Sequence, residues 1–179
     1  MFLEEIPAEK YMSLNIEVLY DFFNLHRHLS NKEHGSNILS LKNSLSDETN
    51  HWIYDVNERT VNHIFWNKDV PKEIKDSILE VEKSLGVKFT KIVFSCYMPG
   101  EGLIAHNDGQ PRYHYVIKPQ PLARLYTVEN DEINIHKMDK GKLYKANTDR
   151  YKHFFYNADN EERIHLLFFE RLKDDSSNY

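Results

Sequence analysis

Three side chains in the second half of the sequence are of types that bind metal ions, and their spacing lets them act together. His106 and Asp108 are separated by one residue, so in an extended segment their side chains point to the same face. His153 begins the aromatic segment HFFYN and is the candidate for a third ligand from another strand. Two imidazoles and one carboxylate on one side of an ion leave three coordination positions open. The set predicts a metal centre with room for further ligands.

The ligand types indicate which metal would suit the site. Two histidines and one carboxylate are typical of non-haem Fe(II) oxygenases. A structural zinc site closes all four positions, usually with cysteines, and this chain has only Cys96. The His-x-Asp pair alone is weak support, because with ten histidines in 179 residues roughly 0.7 such pairs are expected by chance. The residues that accompany the pair therefore matter more than the pair.

Arg163 is the first of these companions. It lies ten residues beyond His153, and the turn Ala158-Asp159-Asn160 stands between them. A hairpin at this turn would return the arginine to the side of the metal. A buried arginine needs an anionic partner, since an unpaired buried charge is costly. The planar guanidinium suits a carboxylate of a dicarboxylic cosubstrate, although a lone strand-end arginine is more often solvated.

Three further residues are weaker candidates. Arg112 and His114 share a strand face and can point inward, and Ser95 precedes His106 by eleven residues. Taken alone, each of them is more often an ordinary strand or surface residue.

Two histidines compete with His153 for the place of third ligand. His165 lies within an apolar run, but no arginine follows it at a ten-residue spacing. His136 lies in a predicted hairpin strand and is the weaker rival. We therefore prefer His153.

The elements that would position these residues change in kind near residue 87. Before it, Ile16 to Leu25 has apolar residues at helical spacing, and a second helix is predicted between Pro71 and Gly86. The segment Lys32 to Asn50 is polar and is expected to be a loop. After it, short β-rich segments are separated by turn signals. The predicted strands are Val87 to Tyr97, Tyr113 to Ile117, Leu122 to Val128, Ile133 to His136, Leu143 to Ala146, His153 to Tyr156 and Ile164 to Arg171, with a hairpin turn at Glu129-Asn130-Asp131-Glu132.

About seven short strands predict an antiparallel sandwich or double-sheet jelly roll. The expected fold is mainly β with N-terminal helices, an α+β arrangement around a cupin-like double-stranded β-helix. We expect one domain over residues 1–179. In it, residues 1–86 provide mostly helical support and loops, residues 87–172 form the β core, and residues 173–179 are a frayed tail.

Composition excludes several other classes of protein. The net charge is −5 and no long basic run is present, which argues against nucleic-acid binding. The first residues, MFLEEIPAEK, lack the features of a signal peptide, and no stretch approaches the roughly 18 apolar residues of a membrane span. With one cysteine, no internal disulfide can form. These features lead us to expect a soluble, cytoplasmic protein with no membrane partner.

Residues 94 to 114 and 140 to 170 resemble the Fe(II)/2-oxoglutarate-dependent dioxygenases, specifically the aspartyl/asparaginyl β-hydroxylase group. The matching pieces are FSCYMPGEGLIAH at 94–106, RYH at 112–114, KGK at 140–142, HFFYN at 153–157 and RIHLLFFE at 163–170. The resemblance covers roughly the C-terminal half and implies a double-stranded β-helix with iron at one mouth.

The same resemblance implies roles for individual residues. His106 and His153 would be the two histidine ligands, and Arg163 would bind the distal carboxylate of 2-oxoglutarate with support from His114 and Ser95. Animal members of the group can lack the carboxylate ligand, so Asp108 is a departure that completes the triad. Prolyl 4-hydroxylase-like members usually carry lysine at the position of Arg163.

The implied activity is hydroxylation of an unactivated C–H, with Fe(II) as metal, 2-oxoglutarate and O2 as cosubstrates, and succinate and CO2 as coproducts. The expected substrate is an amino-acid side chain, free or in a peptide, of Asp, Asn or Pro type. Substrate contacts are expected from the polar stretch 29–52 and the region from His51-Trp52 to Trp66. The aromatic residues expected to wall the pocket are Tyr97, Tyr113, Phe155 and Tyr156. The alternative is a cupin-like jelly roll that binds a metal or small ligand without oxidising anything.

Overall fold

The computed structural model describes residues 1–44 and 64–170, which form two antiparallel β-sheets and two α-helices. The larger sheet has eight strands in the order β1-β10-β7-β12-β5-β3-β2, and β4 pairs with β3. The smaller sheet has the order β6-β11-β8-β9. The elements are β1 (Leu3–Glu5), α1 (Ile16–His26), β2 (Asn31–Glu33), β3 (Ser36–Ser44), β4 (Ile64–Trp66), α2 (Lys72–Leu85), β5 (Phe89–Tyr97), β6 (Gly102–His106), β7 (Arg112–Lys118), β8 (Ala123–Glu129), β9 (Glu132–His136), β10 (Leu143–Ala146), β11 (Lys152–Asn157) and β12 (Arg163–Glu170).

Local signals account for both helices. The side chain of Asn15 caps α1 by accepting hydrogen bonds from the backbone N–H groups of Glu17 and Val18 at 3.0 and 3.3 Å. Helix α2 begins after Pro71 and ends at Gly86, whose φ of 70° is a left-handed conformation that favours glycine. Both helices lie within one residue or so of the bounds that their apolar spacing predicts. Neither is both long and apolar enough to cross a lipid bilayer.

The central strands of the larger sheet are buried on both faces. Alternate residues of β12, namely Ile164, Leu166 and Phe168, join the apolar cluster that also contains residues of α1 and α2. The intervening residues of β12 face the smaller sheet. A second apolar cluster, which includes Val116 and Leu125, packs between the two sheets. The two-sheet architecture confirms the predicted mainly β jelly-roll fold with N-terminal helices.

The prediction of a polar loop from Lys32 is wrong for the described part of that segment. Residues 31–33 and 36–44 form the hairpin of β2 and β3, and β3 pairs with β5 inside the larger sheet. Leu39 and Leu41 are fully buried on the helix side, whereas polar residues such as Ser36 and Ser40 lie in the alternate positions. The same strand contributes Ser36 and Ile38 to the lining of a cavity on its other face. Residues 45–50 of the predicted loop and the predicted tail 173–179 lie outside the described residues.

The prediction of a hairpin between the strands of His153 and Arg163 is also wrong. β11 belongs to the smaller sheet and pairs with β6 and β8, while β12 belongs to the larger sheet and pairs with β5 and β7. The turn after β11 therefore carries the chain from one sheet to the other. Arg163 reaches the site from the opposite wall. The predicted hairpin of β8 and β9 is confirmed, with Asn130 and Asp131 at φ values of 50° and 65°.

Candidate metal centre and its cavity

The three predicted metal ligands meet at one edge of the smaller sheet. His106 ends β6 and lies directly opposite His153 of β11, with ring centroids 4.4 Å apart. Asp108 lies two residues beyond β6, where its backbone N–H donates to the carbonyl oxygen of Thr148 at 2.9 Å. The register of two strands thus fixes the two histidines, and a backbone contact fixes the carboxylate.

Backbone carbonyl groups set the orientation of both imidazoles. His106 Nδ1 lies 2.7 Å from the carbonyl oxygen of Ile104, and His153 Nδ1 lies 3.1 Å from that of Tyr151. A carbonyl oxygen only accepts, so Nδ1 carries the proton in each ring and Nε2 keeps a lone pair. Burial also lowers the pKa of His153, which favours the neutral form that metals bind.

The Asp108 carboxylate lies between the two Nε2 atoms. Its Oδ1 is 3.3 Å from His106 Nε2 and its Oδ2 is 3.5 Å from His153 Nε2. One ligand atom from each of the three residues can be chosen so that all lie within 4.8 Å of one another. Oδ2 is buried and has no hydrogen-bond partner among the described residues. Buried carboxylate oxygens are nearly always satisfied, so this atom is suited to bind a cation.

The donor set fits Fe(II). It consists of two neutral imidazole nitrogens and one carboxylate, whose side chain is only 4% exposed. The other polar neighbour of the carboxylate is Arg112, whose Nη2 lies 2.5 Å from Asp108 Oδ1. Arg112, predicted to bind the cofactor, thus has its guanidinium on the Asp108 carboxylate and against the ring of Phe169 at 4.7 Å.

A second charged group reaches the cavity from the larger sheet. Arg163 is 4% exposed, and no carboxylate among the described residues lies within ion-pair distance of it. Its guanidinium packs on the rings of Phe155 and Tyr97, with centroids 4.2 and 5.9 Å from Cζ. Its Nε is buried and has no hydrogen-bond partner in the described segments. Burial lowers the pKa of Arg163 to about 9, so the group is still cationic at neutral pH.

Two histidines adjoin this arginine, and both are buried. Arg163 Nη2 lies 2.6 Å from His165 Nδ1, and the His165 ring meets that of His114 edge-on at 5.7 Å. Burial, together with the charge of Arg163, holds the pKa of both histidines well below the usual range. Each is therefore neutral, and His165 accepts a hydrogen bond from Arg163. Both ring nitrogens of His114 lack hydrogen-bond partners among the residues that the structure describes, so this side chain can still bind a ligand.

The arrangement around Arg163 fits the distal carboxylate of 2-oxoglutarate. A buried, unpaired cation beside an unsatisfied imidazole is expensive unless an anion completes it. Ser95 lies on the neighbouring strand, opposite His165 in the β5–β12 pairing, and its hydroxyl is hydrogen-bonded to that of Ser36 at 2.8 Å. The predicted cofactor-binding residues are thus brought together around one space.

That space is a cavity with two connected parts. The outer part has a volume of about 450 Å³ and includes His106, Asp108 and Arg112 in its lining. The inner part, of about 40 Å³, is lined by residues that include His153, His114 and Arg163. The residues shared by both parts are Ser95, Tyr97, Leu103, Asp108, Arg112 and Leu167. The Asp108 carboxylate, a candidate metal ligand, therefore lies where the two parts meet.

Neither rival histidine belongs to the cluster of candidate metal ligands. His165 contacts Arg163 instead, and His136 forms a hydrogen bond with the Thr127 hydroxyl at 2.9 Å.

Of the four aromatic residues predicted to wall the pocket, Tyr97 and Phe155 line the inner cavity as expected. The other two predicted aromatic residues do not line it: Tyr113 packs in the core on the helix side, and Tyr156 is 45% exposed.

Sequence reasoning missed the β2–β3 hairpin, whose tip contributes Glu33, His34 and Ser36 to the outer cavity. The available signal was the dipeptide His34-Gly35, because a glycine in a two-residue connection is typical of tight hairpins. Of the expected substrate regions, residues 45–63, which include His51 and Trp52, lie outside the described residues.

Comparisons with known proteins identify the fold. No family model matches the chain, and no curated protein matches its sequence. The structure is similar to an oxidoreductase of the 2OG-Fe(II) oxygenase family from Burkholderia pseudomallei, with 10% identity and a TM-score of 0.61, over 94% of this chain and 84% of that one.

Two prolyl hydroxylases are similar as well. One, from Trichoplax adhaerens, was solved with a hypoxia inducible factor peptide fragment; identity is 15% and the TM-score 0.59, over 98% of this chain and 87% of that one. The other is a viral collagen prolyl hydroxylase from Paramecium Bursaria Chlorella virus-1 in complex with 2OG; identity is 14% and the TM-score 0.56, over 96% of each chain. The chain thus has the fold of these oxygenases.

Proposed function

We propose that this protein is an Fe(II)- and 2-oxoglutarate-dependent dioxygenase that hydroxylates an unactivated C–H of an amino-acid side chain, and that the 179 residues form one such domain. One observation carries the proposal. The ligand atoms of His106, Asp108 and His153 converge within 4.8 Å, and the buried, carboxylate-free Arg163 lines the same cavity from the opposite sheet. A metal site alone would suit many binding proteins. The unpaired arginine beside it requires an anion as well.

The proposed roles follow from the contacts. His106 and His153 present Nε2 and Asp108 presents a carboxylate oxygen to Fe(II), which leaves three positions for other ligands. Arg163 binds the distal carboxylate of 2-oxoglutarate, and His114 and Ser95 support it. When bound, Fe(II) and 2-oxoglutarate supply the reduction of O2 that delivers one oxygen to the substrate C–H and releases succinate and CO2.

The remaining side chains prepare the site. Arg112 holds the Asp108 carboxylate in place through its 2.5 Å ion pair. Phe155 and Tyr97 keep water from the face of the Arg163 guanidinium, which strengthens its attraction for a carboxylate. The backbone carbonyl groups of Ile104 and Tyr151 orient the two imidazoles, in the way that outer hydrogen bonds usually orient metal-binding histidines.

Arg163 also supports the finer assignment to an aspartyl/asparaginyl β-hydroxylase-like subtype, because prolyl 4-hydroxylase-like members of the resembling families usually carry lysine there. The substrate class includes free or peptidyl residues of Asp, Asn or Pro type. Two of the structural neighbours are prolyl hydroxylases by name, and one of them was solved with a peptide fragment. The proposed substrate is accordingly a small molecule or a peptide.

Succinate formation tests the proposal directly. Purified protein is incubated with 2-oxoglutarate and O2, with and without Fe(II), and succinate is measured. We expect Fe(II)-dependent succinate release, including a slow release in the absence of a prime substrate. His153→Ala should abolish it, because the metal loses one of three protein ligands. His28→Ala replaces an exposed histidine that does not line either part of the cavity and should leave the rate unchanged.

The outcomes separate this activity from its rivals. If His165→Ala abolishes Fe(II) binding and His153→Ala does not, the proposed triad is wrong. If Fe(II) binds at the triad but no succinate forms with any substrate, the protein is a cupin-like binding module.

A further inference from the structure

Glu33 places a carboxylate in the outer cavity for which the described residues offer no partner. The residue ends β2 and lines the same cavity as His106 and Asp108. Its Oε1 is buried and accepts no hydrogen bond from the described part of the chain. None of the proposed steps with Fe(II) or 2-oxoglutarate uses this side chain. A buried carboxylate oxygen that faces a ligand cavity is satisfied most simply by a donor on the ligand.

The hairpin that carries Glu33 is held firmly in place. Its turn residues His34 and Gly35 have φ values of 45° and 78°, as a tight two-residue connection requires. A Cβ at Gly35 would lie 2.4 Å from the carbonyl oxygen of Gly102, so the turn packs directly on the first residue of β6. An ion pair between Lys32 and Glu101 joins the same two segments. The carboxylate is thus presented by a fixed rim.

Charge is distributed unevenly along the outer cavity. Glu33 lies at the hairpin end, beside the end of β5. Lys91 and Arg112 lie at the opposite end, on either side of the Phe169 ring in adjacent strands. The wall between the two ends is mainly apolar and includes Ile38, Val93, Leu103 and Leu167.

The distance from the hairpin to the metal ligands limits the size of the substrate. The hairpin contacts β6 at Gly102, and His106 ends the same strand four residues later. At roughly 3.3 Å per residue, the two points are on the order of 13 Å apart. This corresponds to about four residues of extended chain, more than a free amino acid spans.

We propose that Glu33 binds a positively charged nitrogen of an extended, peptide-like substrate, while the residue to be oxidised lies some residues away at the metal triad. The placement of the oxidised residue at the metal triad rests on the proposed function, whereas the recognition of the cation by Glu33 does not. The carboxylate accepts a charge-assisted hydrogen bond from the ammonium group of a lysine side chain. The apolar wall accommodates the intervening chain.

Two matched peptide pools test this assignment. Both contain randomised, arginine-free peptides of about eight residues with an acetylated N-terminus and one lysine, and in the second pool the lysine side chain is acetylated as well. Retention on the protein is measured by mass spectrometry under anaerobic conditions, once with Fe(II) and 2-oxoglutarate and once on metal-free protein. The variants are Glu33→Gln and, as a control, Glu132→Gln on the exposed edge of the smaller sheet. Thermal unfolding verifies that both variants are folded.

We expect the wild type and Glu132→Gln to retain the lysine pool about tenfold better than the acetylated pool, as one charge-assisted hydrogen bond predicts. Glu33→Gln should bring this ratio close to one. Equal retention or no retention by the wild type overturns the proposal, and so does an unchanged ratio in Glu33→Gln. The metal-free arm separates the two claims, because a lysine preference there survives even if the protein fails to bind Fe(II) and 2-oxoglutarate.

Discussion

Both faces of the larger sheet bury charged groups, but among the described residues those on the helix side are paired with each other and those on the cavity side are not. On the helix side, Lys42 Nζ lies 2.9 Å from Glu82 Oε1, and the same carboxylate accepts hydrogen bonds from the Phe89 N–H at 2.9 Å and Lys88 Nζ at 3.2 Å. On the cavity side, Arg163 Nε and both nitrogens of His114 have no hydrogen-bond partner within residues 1–44 and 64–170. The helix side is complete within the chain, whereas the cavity side requires ligands.

This difference separates structural from functional charges. A buried ion pair that is fully hydrogen-bonded adds little net stability, but losing one partner is costly because the other remains buried and uncompensated. An unpaired buried charge already destabilises the folded state, so replacing it with an apolar side chain should stabilise the protein. Substitutions on the two faces should therefore change stability in opposite directions.

The largest expected effect on stability is that of Glu82→Ala. It leaves Lys42 buried without its carboxylate, which should lower the free energy of unfolding by about 3–5 kcal/mol. Glu80→Ala is the matched control on the same helix, since the Glu80 side chain is 61% exposed and should change stability by less than about 0.5 kcal/mol. Urea unfolding measures both. Equal effects of the two substitutions would show that the buried pair is not a structural element.

Arg163→Met should behave in the opposite way. Replacing an unpaired buried guanidinium by an apolar chain of similar length should leave stability unchanged or raise it by about 1–4 kcal/mol. Binding of 2-oxoglutarate should weaken at least about tenfold, while Fe(II) binding stays intact. Arg150→Met is the control, because that arginine is 78% exposed. Urea unfolding and calorimetric titration measure the two quantities.

A marked loss of stability in Arg163→Met, with unchanged affinity for 2-oxoglutarate, would contradict this interpretation. Arg163 would then be a structural residue like Glu82, and the comparison between the two faces would fail.

The smallest effect concerns two glycines with similar backbone angles, one on each side of the sheet. Gly86 ends α2 at φ 70°, and a Cβ there would meet nothing within 4 Å. Gly35 has φ 78°, and a Cβ there would collide with the backbone of Gly102. Gly86→Ala should cost about 1 kcal/mol from backbone strain alone, and Gly35→Ala should cost about 1–3 kcal/mol. Thermal unfolding measures the difference. A smaller loss for Gly35→Ala than for Gly86→Ala would show that the hairpin rim is not fixed against β6.

The sequence predicts some parts of this molecule well. The helix signals are local, so α1 and α2 follow from apolar spacing, an Asn cap and a C-terminal glycine. The strands after residue 87 are also largely as predicted, because β-forming residues indicate each strand and turn residues mark its ends. The convergence of His106, Asp108 and His153 follows from a two-residue spacing and a motif.

Other parts depend on tertiary contacts that single-sequence patterns do not contain. The polar residues of β3 suggest a loop, since nothing in the sequence shows that the strand pairs with β5 inside the larger sheet. The spacing between His153 and Arg163 suggests a hairpin, yet the two strands belong to different sheets. The position of Glu33 depends on the close approach of Gly35 to Gly102, which lie far apart in the sequence.

Anaerobic titration with Fe(II), followed by 2-oxoglutarate, tests the central claim most directly. We predict one Fe(II) bound per chain and a new visible absorption band that appears only when both Fe(II) and 2-oxoglutarate are present. The band should be absent in Asp108→Ala, which lacks the carboxylate ligand. If the wild type binds no Fe(II) and shows no spectral change, the unsatisfied groups of the cavity do not form a metal and cosubstrate site.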